Sequence, residues 1–330
     1  MTNEDHDAIK NNLTLFYDRY KATFTTFPKE KGWVSADLYM YQGFWFESAK
    51  TFSVMTAMAA QDEFKPHPSD IYLATLPKCG TTWLKALVFA IVTRDRYLHE
   101  SASTNPLLFN NPHKLVPAIE TEVLRNNPTY AEGHSPRLFS THIPYTSLPE
   151  SIVDFGCKMI YMCRNAKDVL VSLFHFSNKL RDTSRGLMTI EEAFEMFSKG
   201  ISPNGPYWEH VKRYRKASLE NPSKTLFLTY ENMKSDTVNN VKNLADFLGY
   251  PFTEEEKSRG VMDEIASLCS FEKLSEANKH GDLIHGIMPN SVFFRQGKVG
   301  DWTNYLTTPE MCQILDEITN KEFHGLDISF

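Results

Sequence analysis

Three short apolar runs punctuate the chain, and each gives way to a loop. Ile71-Tyr72-Leu73-Ala74-Thr75-Leu76 stops at Pro77, and Lys158-Met159-Ile160-Tyr161-Met162-Cys163 stops at Arg164-Asn165. Leu226-Phe227-Leu228-Thr229-Tyr230 is the third. Their length and composition predict buried strands. Helical patterns follow each one: from about Thr81 to Thr93, from about Ala166 through Leu180, and over Val238, Val241, Leu244, Phe247 and Leu248, with Gly249 suited to a C-terminal cap. A shorter strand-like run spans Arg137 to Thr141. Strands alternating with helices predict an α/β fold, a central parallel β-sheet flanked by helices. Ligands bind such sheets beyond the carboxyl ends of the strands.

Outside these units the pattern is looser. Residues 1 to about 35 read as a polar, helix-prone lead-in broken at Pro28 to Trp33, and residues 1–30 are expected to form a loosely ordered extension. Residues 37–60 mix aromatics and methionines, which suits either core or a hydrophobic pocket wall. The Asn- and Pro-rich stretch 102–117 and the Gly, His and Asn stretch 277–290 are long loops, and long loops in enzymes often wall a pocket. No composition break marks a linker, so residues 1–330 are expected to be one domain.

Composition narrows the function classes. Apolar residues make up 42% of the chain, enough for a sizeable core, and 23 Phe and 14 Tyr could also line a pocket for a flat ligand. The net charge of −6 argues against a nucleic-acid partner. The start of the chain lacks the basic and apolar regions of a signal peptide, and the longest uncharged apolar run, Ala86 to Val92, is too short to span a bilayer. The expectation is no membrane association. Five widely spaced cysteines without a CxxC pair disfavour a zinc site and a disulfide framework, and fit a reducing, cytoplasmic setting. The sequon at Asn12-Leu13-Thr14 carries little weight without secretion.

The strongest chemical signal lies between the first strand and its helix, at Pro77-Lys78-Cys79-Gly80-Thr81-Thr82-Trp83. Gly80 lets backbone approach an anion closely, Thr81 and Thr82 bring hydroxyls and N–H groups to a helix start, and Lys78 adds a charge. The GxxxxGK[ST] spelling of a nucleotide triphosphatase is absent, which weakens a Mg²⁺-dependent kinase reading.

Leu76 to Lys85 resembles the 5′-phosphosulfate loop of the cytosolic sulfotransferases, plant type. Three further segments resemble the same family, in the same order. Thr141-His142-Ile143-Pro144 is similar to its catalytic-histidine segment, and Cys163 through Ser172 to its Arg-Asn-x-Lys-Asp segment. Phe294 to Trp302 is similar to its Phe-Arg-Lys-Gly…Gly-Asp-Trp segment. The likeness runs from about residue 30 to the end, and its plant flavour comes from Pro28 to Trp33, Gln42-Gly43-Phe44-Trp45 and Trp83-Leu84-Lys85.

The resemblance implies a single-domain transferase of the EC 2.8.2 class, with 3′-phosphoadenosine 5′-phosphosulfate (PAPS) as co-substrate and no metal. It implies His142 as general base, whose natural pKa suits that role, and Lys78 as the cation that stabilises charge on the leaving phosphate. The 5′ side of the cofactor would be held by Lys78, Cys79, Gly80, Thr81, Thr82 and Trp83. Its 3′-phosphate would be held by Arg164, Ser172 and Arg295, with backbone N–H groups of Gln296 and Gly297. Trp83, Tyr230 and Phe271 would form the adenine slot. The acceptor would be a small hydroxylated plant metabolite of secondary metabolism: a flavonol, brassinosteroid, hydroxyjasmonate or desulfoglucosinolate. The protein would be a monomer or weak homodimer. Departures from the family pattern are Cys79 for Ser, Gln296 for Lys, Thr303 for Lys, and Cys269 where animal members have Thr. A ligand-binding protein without turnover on the same fold, holding a hydrophobic ligand or a nucleotide, and a phosphate-loop kinase are the alternatives.

Overall fold

The computed structural model describes residues 3–48, 52–98, 105–125, 136–279 and 288–330. The chain enters through a helix, Asn3–Phe24. Phe16, Tyr20 and Phe24 on this helix are buried in the core, so the lead-in is docked rather than the loosely ordered extension expected from its polarity. These three residues, spaced about one helical turn apart, suffice to anchor it, although the helix as a whole is polar.

The aromatic stretch that follows is a small antiparallel sheet that hydrophobicity alone did not reveal. Strands β1 (Lys29–Lys31), β2 (Asp37–Tyr41) and β3 (Phe44–Glu47) lie in that order. Gln42 and Gly43 join β2 to β3 with φ of 51° and 85°, the left-handed pair a two-residue hairpin requires. All of β3 is buried, which hid its period of two.

The central sheet is parallel. Its strands are β4 (Ile71–Thr75), β5 (Leu138–Thr141), β6 (Lys158–Cys163) and β7 (Thr225–Thr229), in the order β5-β4-β6-β7. Alternate residues face opposite sides. Tyr72, Phe139, Met159 and Tyr161 join one core cluster, with Val169 and Leu170 of the helix Ala166–Leu180 and Val211 and Tyr214 of Tyr207–Glu220. Ile71, Leu73, Ile160 and Met162 join the other, with Leu84, Leu87 and Ile91 of Thr81–Tyr97 and Val241 and Leu244 of Thr237–Leu248. Helices on both faces explain why these strands read as continuous apolar runs.

From β4 the chain moves to β5 on one side, and from β6 to β7 on the other. The connections therefore diverge between β4 and β6, and a crevice opens beyond their carboxyl ends. The expected strand ends move slightly: Leu76 falls outside β4, and Tyr230 begins a helix, Tyr230–Ser235, instead of ending β7.

Candidate active site

Each strand of the central sheet delivers a polar or aromatic side chain just past its carboxyl end. Lys78 follows β4, His142 follows β5, Arg164 follows β6 and Tyr230 follows β7. All four line one cavity of about 570 Å³. Gly80, Thr81, Thr82 and Trp83 share its wall, as do Ser172, Phe271, Arg295, Gln296 and Gly297. Cys79 is the exception among the expected site residues. Its side chain is fully buried in the core cluster and does not line the cavity, so the thiol does not face a ligand there.

The loop after β4 is built to expose N–H groups. Lys78 has φ of 73° and Gly80 φ of 97°, both left-handed. A Cβ on Gly80 would sit 2.7 Å from Met162 Cε and from Tyr230 Cδ2, so only glycine lets Tyr230 come this close. The helix Thr81–Tyr97 then starts with no side-chain cap at Gly80. Its first N–H groups and the positive end of its dipole meet the cavity.

His142 is held on three sides. Its Nδ1–H donates to the Thr75 carbonyl at 2.7 Å, its backbone N–H donates to Glu120 Oε1 at 2.7 Å, and the Phe52 ring lies 5.5 Å away. A carbonyl can only accept, so Nδ1 carries the proton and Nε2 is the nitrogen able to take another. Burial pulls His142 down to about 4, against the pull of the Thr75 carbonyl, and Lys85 and Lys78 lower it further. The ring is neutral at pH 7.

The opposite side is rich in cations. Lys78 lies over the Phe176 ring at 4.1 Å. Burial, then Arg295, Arg164 and Lys179, pull it down to about 7. Arg164 donates to the Lys298 carbonyl at 2.6 Å, pairs with Asp168 at 3.2 Å, and stacks on Tyr230 at 4.7 Å. Arg295 pairs with Asp301 at 2.5 Å. The Nε–H groups of Arg164 and Arg295 are buried and have no hydrogen-bond partner among the described residues. A buried unpaired guanidinium donor is costly, and both lie at the wall of the same cavity.

The segment 294–302 closes over this region because Asp168 holds it. Asp168 accepts from the backbone N–H of Gly300 at 2.8 Å and of Trp302 at 3.1 Å. Tyr230 donates its hydroxyl to the Gly297 carbonyl at 3.0 Å, and a Cβ on Gly297 would lie 2.4 Å from the Phe271 ring. Trp83 meets Tyr230 edge-on at 5.4 Å. Trp83, Tyr230 and Phe271 thus form an apolar recess beside the arginines.

A family model described as the sulfotransferase domain matches residues 68–327. The chain belongs to the sulfotransferase family. This sulfotransferase is 46% identical over 292 residues to a flavonol sulfotransferase-like protein of Flaveria bidentis, covering 87% of this chain and 91% of that one. It is 43% identical over 316 residues to cytosolic sulfotransferase 5 of Arabidopsis thaliana, covering 94% and 96%. It also matches the crystal structure of a mouse sulfotransferase complexed with PAP at 27% identity, with a TM-score of 0.66 over 87% of this chain and 94% of that one. Curated relatives that it matches are plant cytosolic sulfotransferases, and it carries the single-domain α/β fold of its class. Among the described residues no cluster of His, Cys, Asp and Glu could hold a metal ion, and no helix is long and apolar enough to cross a membrane.

Several wall residues escaped the sequence reading. Phe52, Phe176 and Phe293 line the cavity, and only the first falls in a stretch whose composition suggested a pocket wall. His113, inside the Asn- and Pro-rich loop, lines it too, as does Lys234, whose Nζ sits 5.4 Å from the Trp83 ring. The Asn111-Pro112 pair starting a one-turn helix at Pro112–Leu115 was the available signal for His113. Of the segment 277–290, residues 280–287 lie outside the described residues, as do 102–104 of the other loop.

Proposed function

We propose that this sulfotransferase moves the sulfuryl group of PAPS to a hydroxyl of a small, uncharged and largely apolar acceptor. The observation that carries the reading is the pair of unpartnered Nε–H groups of Arg164 and Arg295 on one cavity wall. A phosphate beside them supplies acceptors for both, and charge-assisted bonds of this kind are strong. Ser172, Gln296 and Gly297 line the same cavity. The 5′-phosphosulfate suits the exposed N–H groups from Gly80 to Trp83, and adenine suits the recess of Trp83, Tyr230 and Phe271. The mouse relative was crystallised with PAP, the nucleotide product of such a transfer.

PAPS supplies an activated sulfuryl group, and the chain's own residues supply the electrostatics. Lys78 offers a cation where the leaving phosphate gains charge, and a preorganised cation there stabilises the transition state more than the ground state. Its depressed pKa reflects burial first and crowding by Arg295, Arg164 and Lys179 second, and a bound anion offsets the crowding. His142 Nε2 accepts the acceptor's hydroxyl proton, and the Nδ1 bond to Thr75 fixes the ring for it. An anion beside Lys78 also offsets the cations that lower His142, making it a better base once the site is loaded.

The acceptor half is apolar. Phe52, Phe176, Leu180, Met288 and Phe293 line it. Glu47 also reaches the cavity, but its carboxylate is spent on the backbone N–H groups of Trp33, Val34 and Ser35. An aromatic wall favours a flat phenolic acceptor, in keeping with the flavonol name of the Flaveria bidentis relative. Labelled PAPS with a panel of flavonols, sterols, hydroxylated carboxylates and desulfoglucosinolates tests the proposal. Labelled ester from a neutral phenol, in the presence of EDTA, is the expected result. Tight PAP binding with no transfer to any hydroxyl would reduce the protein to a nucleotide-binding protein.

A further inference from the structure

Lys85 is a buried cation on the helix Thr81–Tyr97, 2% exposed, and it does not line the cavity. It follows Thr82 by three positions, so the two side chains share a helix face. His113 bridges them: its Nδ1 is 2.9 Å from Lys85 Nζ and its Nε2 is 2.9 Å from Thr82 Oγ1. The bridge is rigidly placed. Asn111 Oδ1 accepts from the His113 backbone N–H at 3.0 Å, Asn111 Nδ2 donates to Asn290 Oδ1 at 3.2 Å, and the Phe293 ring lies 4.3 Å from the His113 ring.

With Lys85 charged, the chemistry of the three groups fixes the sense of the chain. An ammonium has donors only, so His113 Nδ1 must accept from Lys85. The ring proton then sits on Nε2 and is donated to Thr82 Oγ1. With an acceptor site of its oxygen already used, the Thr82 hydroxyl keeps its own hydrogen for the cavity, where Thr82 is part of the wall. The reverse sense would aim that hydrogen at His113 and leave an anion facing a bare oxygen. Burial pulls Lys85 down to about 7, while Glu120 draws it back up. An anion at the loop favours the ammonium in the same way, so anion binding and the donating sense reinforce each other.

We propose that Lys85 and His113 are positioning residues that set the Thr82 hydroxyl as a hydrogen-bond donor to the phosphate group bound at the loop. The inference rests on the nucleotide site proposed above. It assigns a task to a lysine that no part of the transfer chemistry otherwise uses.

A double-mutant cycle read by calorimetry with PAP tests it. Thr82→Val and Lys85→Met are each expected to weaken PAP binding about five- to tenfold, the size of one hydrogen bond. Together they should weaken it no more than Thr82→Val alone, because Lys85 acts through that hydroxyl. A packing role for Lys85 would instead give losses that multiply. If Lys85→Met does not fold, His113→Phe keeps the ring contact with Phe293, removes both nitrogens and closes the same cycle with Thr82→Val. Binding by the unmutated protein with multiplicative losses overturns this inference alone. No PAP binding by the unmutated protein overturns the nucleotide site, and the inference with it.

Discussion

The roles proposed for His142 as base and for Lys78 as the cation facing the leaving phosphate predict separate kinetic signatures. Removing the base should abolish turnover without disturbing the nucleotide. For His142→Ala, kcat is expected to fall at least ~10²-fold, with the PAP dissociation constant within about twofold of the unmutated value. A variant that keeps most of its kcat would move the base elsewhere. Lys78→Met is expected to lower kcat ~10²–10³-fold, more than it raises KM for PAPS, because the charge it answers develops in the transition state. A raised KM with unchanged kcat would make Lys78 a binding group only. The sequence singled out both positions, Lys78 from Gly80-Thr81-Thr82 after a strand and His142 from the family resemblance of Thr-His-Ile-Pro, and the structure brings both to one cavity. Cys79 was legible only as a loop member. Whether its thiol faces ligand or core depends on the turn at Lys78 and Gly80, and the structure turns it to the core.

At the scale of the element, the loop between β4 and its helix works because a strand end, a left-handed turn and an uncapped helix start come in immediate succession. Two glycines with the same backbone hand separate conformational need from close approach. A Cβ on Gly80 meets Met162 and Tyr230 at 2.7 Å, whereas one on Gly249, at φ of 86°, meets nothing within 4 Å. Gly249→Ala should cost about 1 kcal/mol of stability, for the left-handed conformation alone, and leave PAP affinity unchanged. Gly80→Ala should cost more and also weaken PAP binding at least about tenfold, because Tyr230 must move. Thermal melts and PAP titrations on both variants check this, and equal effects would deny the loop its special packing. The helix ends were partly visible: Gly249 marked one, and Asn165 caps the helix Ala166–Leu180 through the Lys167 N–H. The hairpin at Gln42-Gly43 was not, because β3 is buried on both faces and shows no alternation.

At the scale of the molecule, the cavity is bought with buried titratable groups, and these make stability depend on pH. Two histidines are held neutral, His210 in the core and His142 at the cavity wall. His142 is pulled down to about 4, and His210 to about 3, by burial. His210 accepts the Tyr161 hydroxyl at Nδ1 and donates Nε2–H to the His142 carbonyl at 3.1 Å. Unfolded, each would titrate near its ordinary 6.5, so the unfolded chain binds more protons below that pH. Their stabilising contribution is complete above about 6.5 and is lost as pH falls toward the folded values. Glu120, raised to about 7 by burial, works in the opposite sense between its ordinary 4.5 and 7. A difference measurement isolates one site. The stability advantage of the unmutated protein over His210→Gln should shrink by about 1.4 kcal/mol per pH unit between pH 6 and 4.5, followed by urea denaturation. An advantage independent of pH would mean that His210 is charged in the folded protein.

The sequence by itself determined the strand–helix alternation, the parallel sheet, the glycine–threonine loop between strand and helix and the order of the four motif segments. These are encoded over a few residues each, in a hydrophobic period, a glycine or a charge beside a helix start. The tertiary structure decided what the segments do to one another. Only the crossing from β5 over β4 to β6 brings residues 78, 142, 164 and 230 to one cavity. Only the packing of distant loops places His113 between Lys85 and Thr82, and leaves the Nε–H groups of Arg164 and Arg295 unpaired among the described residues. Such contacts join residues far apart in the chain, and no local pattern of hydrophobic and polar positions records them.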